Sequence, residues 1–169
     1  MTNQVNPLIV SLVAGKISKE EFLKEYFKHI PRSNEYVLAL IQKGINNRNA
    51  IEIEEAMTLI FVGSFSIKYF LPKLCELLQL PWHYNHEDIA RLLKEIADPT
   101  TVDCLYKASE LAFEYLDYDD TYQFARKCIK ALSAISDENA IEKLKLLSDS
   151  KITEIAEYAK KELRYKGLL

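Results

Sequence analysis

Apolar residues recur at three- and four-residue spacing along almost the whole chain, and no stretch alternates with period two over a useful length. This excludes most folds, because side chains three or four apart share a helix face whereas a half-buried strand shows period two. The stripe Phe22, Leu23, Tyr26, Phe27, Ile30 follows a capping box made by Ser18 and Glu21, and Pro31 stops it. Tyr36, Val37, Leu40, Ile41, Ile45 form the next face. A third helix is predicted over about 50–62, ended by Gly63, and a fourth over about 66–80 with Pro72 inside it and Pro81 after it. Ile89, Leu92, Leu93, Ile96 make a further stripe. Asp98-Pro99-Thr100 breaks it and starts the next, with Val102, Leu105, Ala108, Ala112. Phe124, Ala125, Cys128, Leu132, Ile135, then Ile141, Leu144, Leu147, then Ile152, Ile155, Ala156, Ala159, Leu163 complete the series. Connections are short, so neighbouring helices are expected to pack antiparallel.

The helices also repeat. A shift of 39 positions lays Ile89, Leu93, Ile96, Asp98, Val102, Leu105 on Cys128, Leu132, Ile135, Asp137, Ile141, Leu144. A looser copy covers 56–78, with Gly63-Ser64 in place of the Asp-Pro turn. Self-similarity near this period in an all-helical chain implies stacked helix pairs, since one pair cannot bury its apolar faces alone. The expected architecture is all-α, a single domain over 1–169, with about 1–48 as N-terminal helices or a cap and 49–166 as stacked repeats.

Composition supports a globular chain. Of 169 residues, 49% are hydrophobic, enough for a core without metal or disulfides. Only four glycines occur, which argues against turn-rich sandwiches and phosphate-cradling loops, and a net charge of −3 gives no general basic footprint for nucleic acid. The three cysteines, Cys75, Cys104 and Cys128, cannot all pair with one another. Each lies in an apolar helical pattern, and buried free thiols in a reducing compartment are the simplest account. Residues 1–6 carry no Lys or Arg and the apolar run 8–14 is short, so no secretory signal is expected. No run reaches the roughly 20 apolar residues that span a bilayer. A cytoplasmic protein without membrane contact is expected.

The segment Leu132-Ser133-Ala134-Ile135-Ser136-Asp137-Glu138-Asn139-Ala140-Ile141-Glu142-Lys143-Leu144 resembles the HEAT-repeat pattern of a helix, a tight Asp-containing turn and a second helix. Leu71-Pro72-Lys73-Leu74 resembles the proline found in the helix of many such repeats. Residues 82–89, Leu105-Tyr106 and 115–120 are similar to small stand-alone bacterial HEAT-repeat proteins, some of which are immunity proteins to secreted toxins. The resemblance implies a right-handed α-solenoid without chemistry of its own. It places residues 82–88 at an inter-repeat turn.

Several residues invite a chemical reading. His83 and His86, with Glu87 and Asp88 beside them, could hold a divalent ion, but a site needs three or four convergent ligands. Pro81 and Asn85 read instead as a linker, and Asp88 as a charge favouring the next helix start. His29, near a helix end, reads as structural. No nucleophile elbow, Cys-x-x-Cys, P-loop or dinucleotide fingerprint occurs. No catalytic residue, metal or cofactor is therefore expected. Glu52, Glu54 and Glu55 read as a solvated helix face.

Residues 110–122 are the most unusual stretch. Glu110, Glu114, Asp117, Asp119 and Asp120 occur there without a single Lys or Arg, whereas 121–169 carry ten basic and seven acidic side chains. Against the later repeat this copy is longer by about eight residues, and the extra length carries the acid. One reading is a solvated helix end with Asp119 or Asp120 as N-cap of the next helix. The other is a binding edge in which Tyr115, Tyr118 and Tyr122 supply rigid contact area and the carboxylates attract a basic partner. Trp82 is either a staple between helix layers or an exposed anchor, and Tyr106 shares that ambiguity.

The expected partner-binding set is Trp82, His83, His86, Tyr106, Glu114, Tyr115, Asp117, Tyr118, Asp119, Asp120 and Tyr122. The expected function is a toxin-neutralising immunity protein, monomeric when free, that binds one basic protein domain, such as a nuclease, one-to-one. A general scaffold or adaptor would have much the same sequence. Nucleic-acid binding and a HEAT-like lyase role are weaker alternatives, because the Lys and Arg residues are dispersed.

Overall fold

A computed structural model describes residues 4–116 and 121–169. Among these residues every regular element is helical: ten α-helices and three short 3₁₀ turns. Contacts divide the chain into two compact units. One comprises the chain up to Lys73 together with Trp82–Asn85, and the other Leu74–Pro81 together with His86–Leu169.

The first unit holds α1 (Pro7–Val13), α2 (Lys19–Tyr26), α3 (Asn34–Asn47) and α4 (Ala50–Val62). Asn6 caps α1 by accepting from the Leu8 N–H, and Pro7 occupies a first-turn position where its missing N–H is harmless. Ser18 and Glu21 form the expected capping box: the Ser18 hydroxyl accepts from the Glu21 N–H at 3.1 Å, and the Glu21 carboxylate accepts from the Ser18 N–H at 2.8 Å. Gly63 is the C-cap of α4, as its position predicts. α3 packs on α4 across a tight turn in which Arg48 takes up the left-handed conformation and Asn49 caps α4. Gly44 makes that approach possible, since a Cβ there would stand 2.6 Å from Ile53 Cδ1. Val37, Ile41, Ile53, Ala56 and Leu59 are all completely buried. Burying a side chain as large as Leu or Ile stabilises by about 1.5–3 kcal/mol.

The three glutamates expected on a solvated face are all engaged. Glu52 pairs with Lys43 at 2.6 Å. Glu54 accepts from the Asn85 amide at 2.7 Å, and Glu55 accepts from Tyr26 Oη at 2.7 Å and from Asn6 Nδ2 at 3.0 Å. Burial first, then the Tyr36 hydroxyl and the Glu55 carboxylate, push the Tyr26 phenol well above its ordinary value.

The expected continuous fourth helix is two elements. A 3₁₀ turn, Ile67–Phe70, precedes α5 (Leu71–Leu77), so Pro72 stands in a first turn rather than a helix interior. There it neither removes a helical hydrogen bond nor clashes with a preceding carbonyl.

The second unit contains α6 (His86–Ile96), α7 (Val102–Ser109), α8 (Gln123–Ala134), α9 (Glu138–Ser148) and α10 (Thr153–Tyr165). α8 packs against α6, α7, α9 and α10, and α9 packs against α10. The sequence repeat has a structural counterpart. Asp98 and Asp137 are both N-caps whose carboxylates accept from the N–H two residues on, Thr100 at 3.0 Å and Asn139 at 2.9 Å. The paired positions Ile89 and Cys128, Leu93 and Leu132, and Leu105 and Leu144 are all fully buried. α7 ends at Ser109, so Ala112, assigned to its stripe by spacing, lies outside the helix and is exposed.

The cysteine reading needs correction. Cys75 and Cys104 form a disulfide, with Cα atoms 5.5 Å apart. They are 29 positions apart, and spacing along the chain gives no hint of that approach. Cys128 alone is a free, fully buried thiol, and burial pushes its pKa up.

Candidate functional site

Two groups of candidate residues lie in different units. In the first unit, the stretch expected to be a linker is tied to α4. Asn85 is buried; its N–H donates to His83 Nδ1 at 3.1 Å and its side-chain amide to Glu54 at 2.7 Å. His83 is fully buried, and half-buried Trp82 sets its ring edge-on to it at 5.5 Å. Tyr84, which sequence reasoning passed over as a site residue, is 69% exposed. Its signal was its place between two polar residues that fold inward.

In the second unit, His86 begins α6 and is also fully buried. Its Nε2 lies 2.8 Å from the Leu80 carbonyl, which can only accept, so Nε2 carries the proton. Nδ1 of the neutral ring is then an acceptor for the Tyr115 hydroxyl at 2.6 Å. The ring stacks on Phe113 at 3.8 Å and meets Phe124 edge-on at 5.6 Å. These contacts offset the cost of removing a polar ring from water. His83 and His86 therefore leave the partner-contacting set, because neither presents an atom to the outside.

Tyr115 belongs to a 3₁₀ turn, Glu114–Leu116, and is half-buried while Glu114 is exposed. Tyr122 is exposed and takes the left-handed conformation at φ 49°, a region that L side chains enter at a cost. Its neighbours hold it there: Tyr158 Oη donates to the Thr121 carbonyl at 2.6 Å, and the Tyr122 carbonyl accepts from the Arg126 N–H at 3.0 Å. Tyr122, not Asp119 or Asp120, is the N-cap of α8, and it caps without a side-chain bond. Leu111, Phe113, Leu116, Tyr122 and Phe124 line a shallow depression of about 30 Å³ in which Leu111 and Tyr122 are the exposed large side chains. Asp117, Tyr118, Asp119 and Asp120 lie outside the described residues.

Tyr106 is half-buried with the Lys143 ammonium 4.8 Å above its ring, and Lys143 also pairs with Asp103 at 3.4 Å. It is not among the residues that line the depression. His86, Tyr115 and Tyr122 are brought to one region of the second unit. Leu111 was missed because, beyond the end of α7, no periodicity marks which side of the chain faces inward.

Among the described residues, no cluster of three His, Cys, Asp or Glu is placed to hold a metal ion, and no helix is long and apolar enough to cross a membrane. Comparison with protein-family models, curated proteins and solved structures finds no match to this chain.

Proposed function

We propose that this chain is a protein-binding module that acts as an immunity protein, gripping one basic toxin domain and occluding its active site. The carrying observation is the surface around Leu111, Glu114 and Tyr122. Leu111 and Tyr122 stay exposed around a shallow depression beside exposed Glu114, in a stretch with five carboxylates and no cation. An exposed tyrosine and leucine supply contact area, and carboxylates speed encounter with a basic surface. A nuclease cleft is basic because it holds phosphates, so an acidic, tyrosine-bearing edge fits such a partner. The role requires no catalytic residue, metal or cofactor, and a protein that is monomeric when free.

The finer architecture belongs to the same proposal. The pairs α6–α7 and α8–α9 repeat at 39 residues with equivalent Asp caps, which supports a HEAT-like α-solenoid as the scaffold. A cytoplasmic setting rested partly on reduced thiols, and the Cys75–Cys104 bond withdraws that part of the argument.

The test is co-expression with the product of the adjacent gene. A tight one-to-one complex that weakens with salt and silences that product's toxicity is expected. Asp117→Asn with Asp119→Asn and Asp120→Asn should weaken it and flatten the salt dependence, and Tyr122→Ala should raise the dissociation rate. Unchanged affinity and salt dependence in these variants would remove this surface from the interface.

A further inference from the structure

The second unit carries a basic groove that the chain's net charge of −3 conceals. α8 packs against both α6 and α10. Lys94 stands in the last turn of α6. Arg126 and Lys130 are one helical turn apart on α8, and Tyr158, Lys161 and Tyr165 follow one face of α10. Two adjoining depressions, of about 330 and 50 Å³, share Lys130, Lys161 and Glu162 in their walls. Lys94 and Tyr165 complete the larger, Arg126 and Tyr158 the smaller. Among the described residues, three cations line each depression against a single carboxylate, Glu162.

Several neighbouring cations are paired with carboxylates and these lysines are not. Lys127 pairs with Glu87 at 2.9 Å, Lys143 with Asp103 at 3.4 Å, and Lys160 with Glu157 at 3.1 Å. Lys94, Lys130 and Lys161 have no carboxylate at ion-pair distance among the described residues. Gathering like charges around a groove is unfavourable until an anion enters it. Beside them Tyr165 is 75% exposed, with the Lys161 ammonium 5.8 Å from its ring centre.

We propose that this groove binds single-stranded nucleic acid, with Lys94, Lys130, Lys161 and Arg126 on successive phosphates and Tyr165 stacking on a base. The lysine ammonium groups are point charges suited to phosphate oxygens, and the arginine fork can hold a phosphate bidentately. An open aromatic face next to a basic track is the arrangement that single strands use, since every base has a stackable face. The site is independent of the immunity reading.

The experiment is fluorescence anisotropy of the full chain with a labelled oligothymidylate of about ten nucleotides. Measurements run from about 50 to about 200 mM salt. Wild type should bind at low salt and lose affinity steeply as salt rises. Lys130→Gln with Lys161→Gln should flatten the slope of log affinity against log salt by about 0.7 per lost phosphate contact. Lys94→Gln alone should flatten it less. Tyr165→Ala should weaken binding about tenfold and leave the slope unchanged. Lys143→Gln, outside the groove, should change neither. No binding at low salt, or groove variants that bind like wild type, would overturn the proposal. Tighter binding of polyglutamate than of the oligonucleotide would overturn it in favour of an acidic protein partner. Equal affinity for inorganic tripolyphosphate with a silent Tyr165→Ala would overturn it in favour of free phosphate.

Discussion

The hydroxyl of Tyr115 donates to Nδ1 of His86 across 2.6 Å, 29 positions along the chain, and links a short turn to the first residue of α6. Because the Leu80 carbonyl takes the proton on Nε2, the two bonds together select one tautomer of a fully buried ring. Tyr115→Phe keeps the ring packing and leaves Nδ1 without this donor. A loss of about 1 kcal/mol in urea unfolding is expected. The ¹⁵N pattern of His86 should show the Nε2-protonated form in wild type. A neutral substitution with the other tautomer would show that the bond does not form in solution.

Tyr26 makes stability fall at high pH. Burial foremost, then the Tyr36 hydroxyl and the Glu55 carboxylate, raise its folded-state pKa above the unfolded value near 10. Its contribution is therefore complete below about pH 10 and is lost as pH rises above it, because the unfolded chain gives up a proton that the folded one retains. Unfolding free energy of wild type should decline above about pH 10 more steeply than that of Tyr26→Phe. Parallel declines would show that the phenol titrates normally in the fold.

Thiol counting separates the paired cysteines from the buried one. With Cys75 and Cys104 bonded and Cys128 buried with a raised pKa, the native protein should yield no fast thiol to Ellman's reagent. Unfolding without reductant should release one thiol, and unfolding with prior reduction all three. Three thiols from the unreduced, unfolded protein purified under air-free conditions would restore the free-cysteine reading.

Gly44 sets the closeness of α3 and α4. Gly44→Ala adds a Cβ 2.6 Å from Ile53 Cδ1, in a side chain with no exposed surface into which to swing. Overpacking of about 1–3 kcal/mol is set against a helix-propensity gain of about 1 kcal/mol. A lower melting temperature is expected. Adding Ile53→Val, which removes that δ-methyl, should recover part of the loss. Additive effects of the two substitutions would rule out their contact as the cause.

Local order was legible in the residues themselves. The Ser18–Glu21 capping box, the Gly63 stop, the Asp98 and Asp137 caps and the apolar stripes each depend on atoms within one or two turns, and short spacings encode them. Pro72 was legible only in part: a proline marks a first turn as readily as an interior kink, and the 3₁₀ turn at Ile67–Phe70 decided between them. The Cys75–Cys104 pair, the inward folding of His83 and His86, and the engagement of Glu54 and Glu55 join residues far apart in sequence. Spacing along a chain says which side chains share a helix face. It does not say how that face is turned toward the next helix, and packing of the cores settles that rotation. The charges obey the same division. The acidic run at 110–122 was visible because its members are contiguous, whereas Lys94, Lys130 and Lys161 read as dispersed until α6, α8 and α10 packed and set them around one groove.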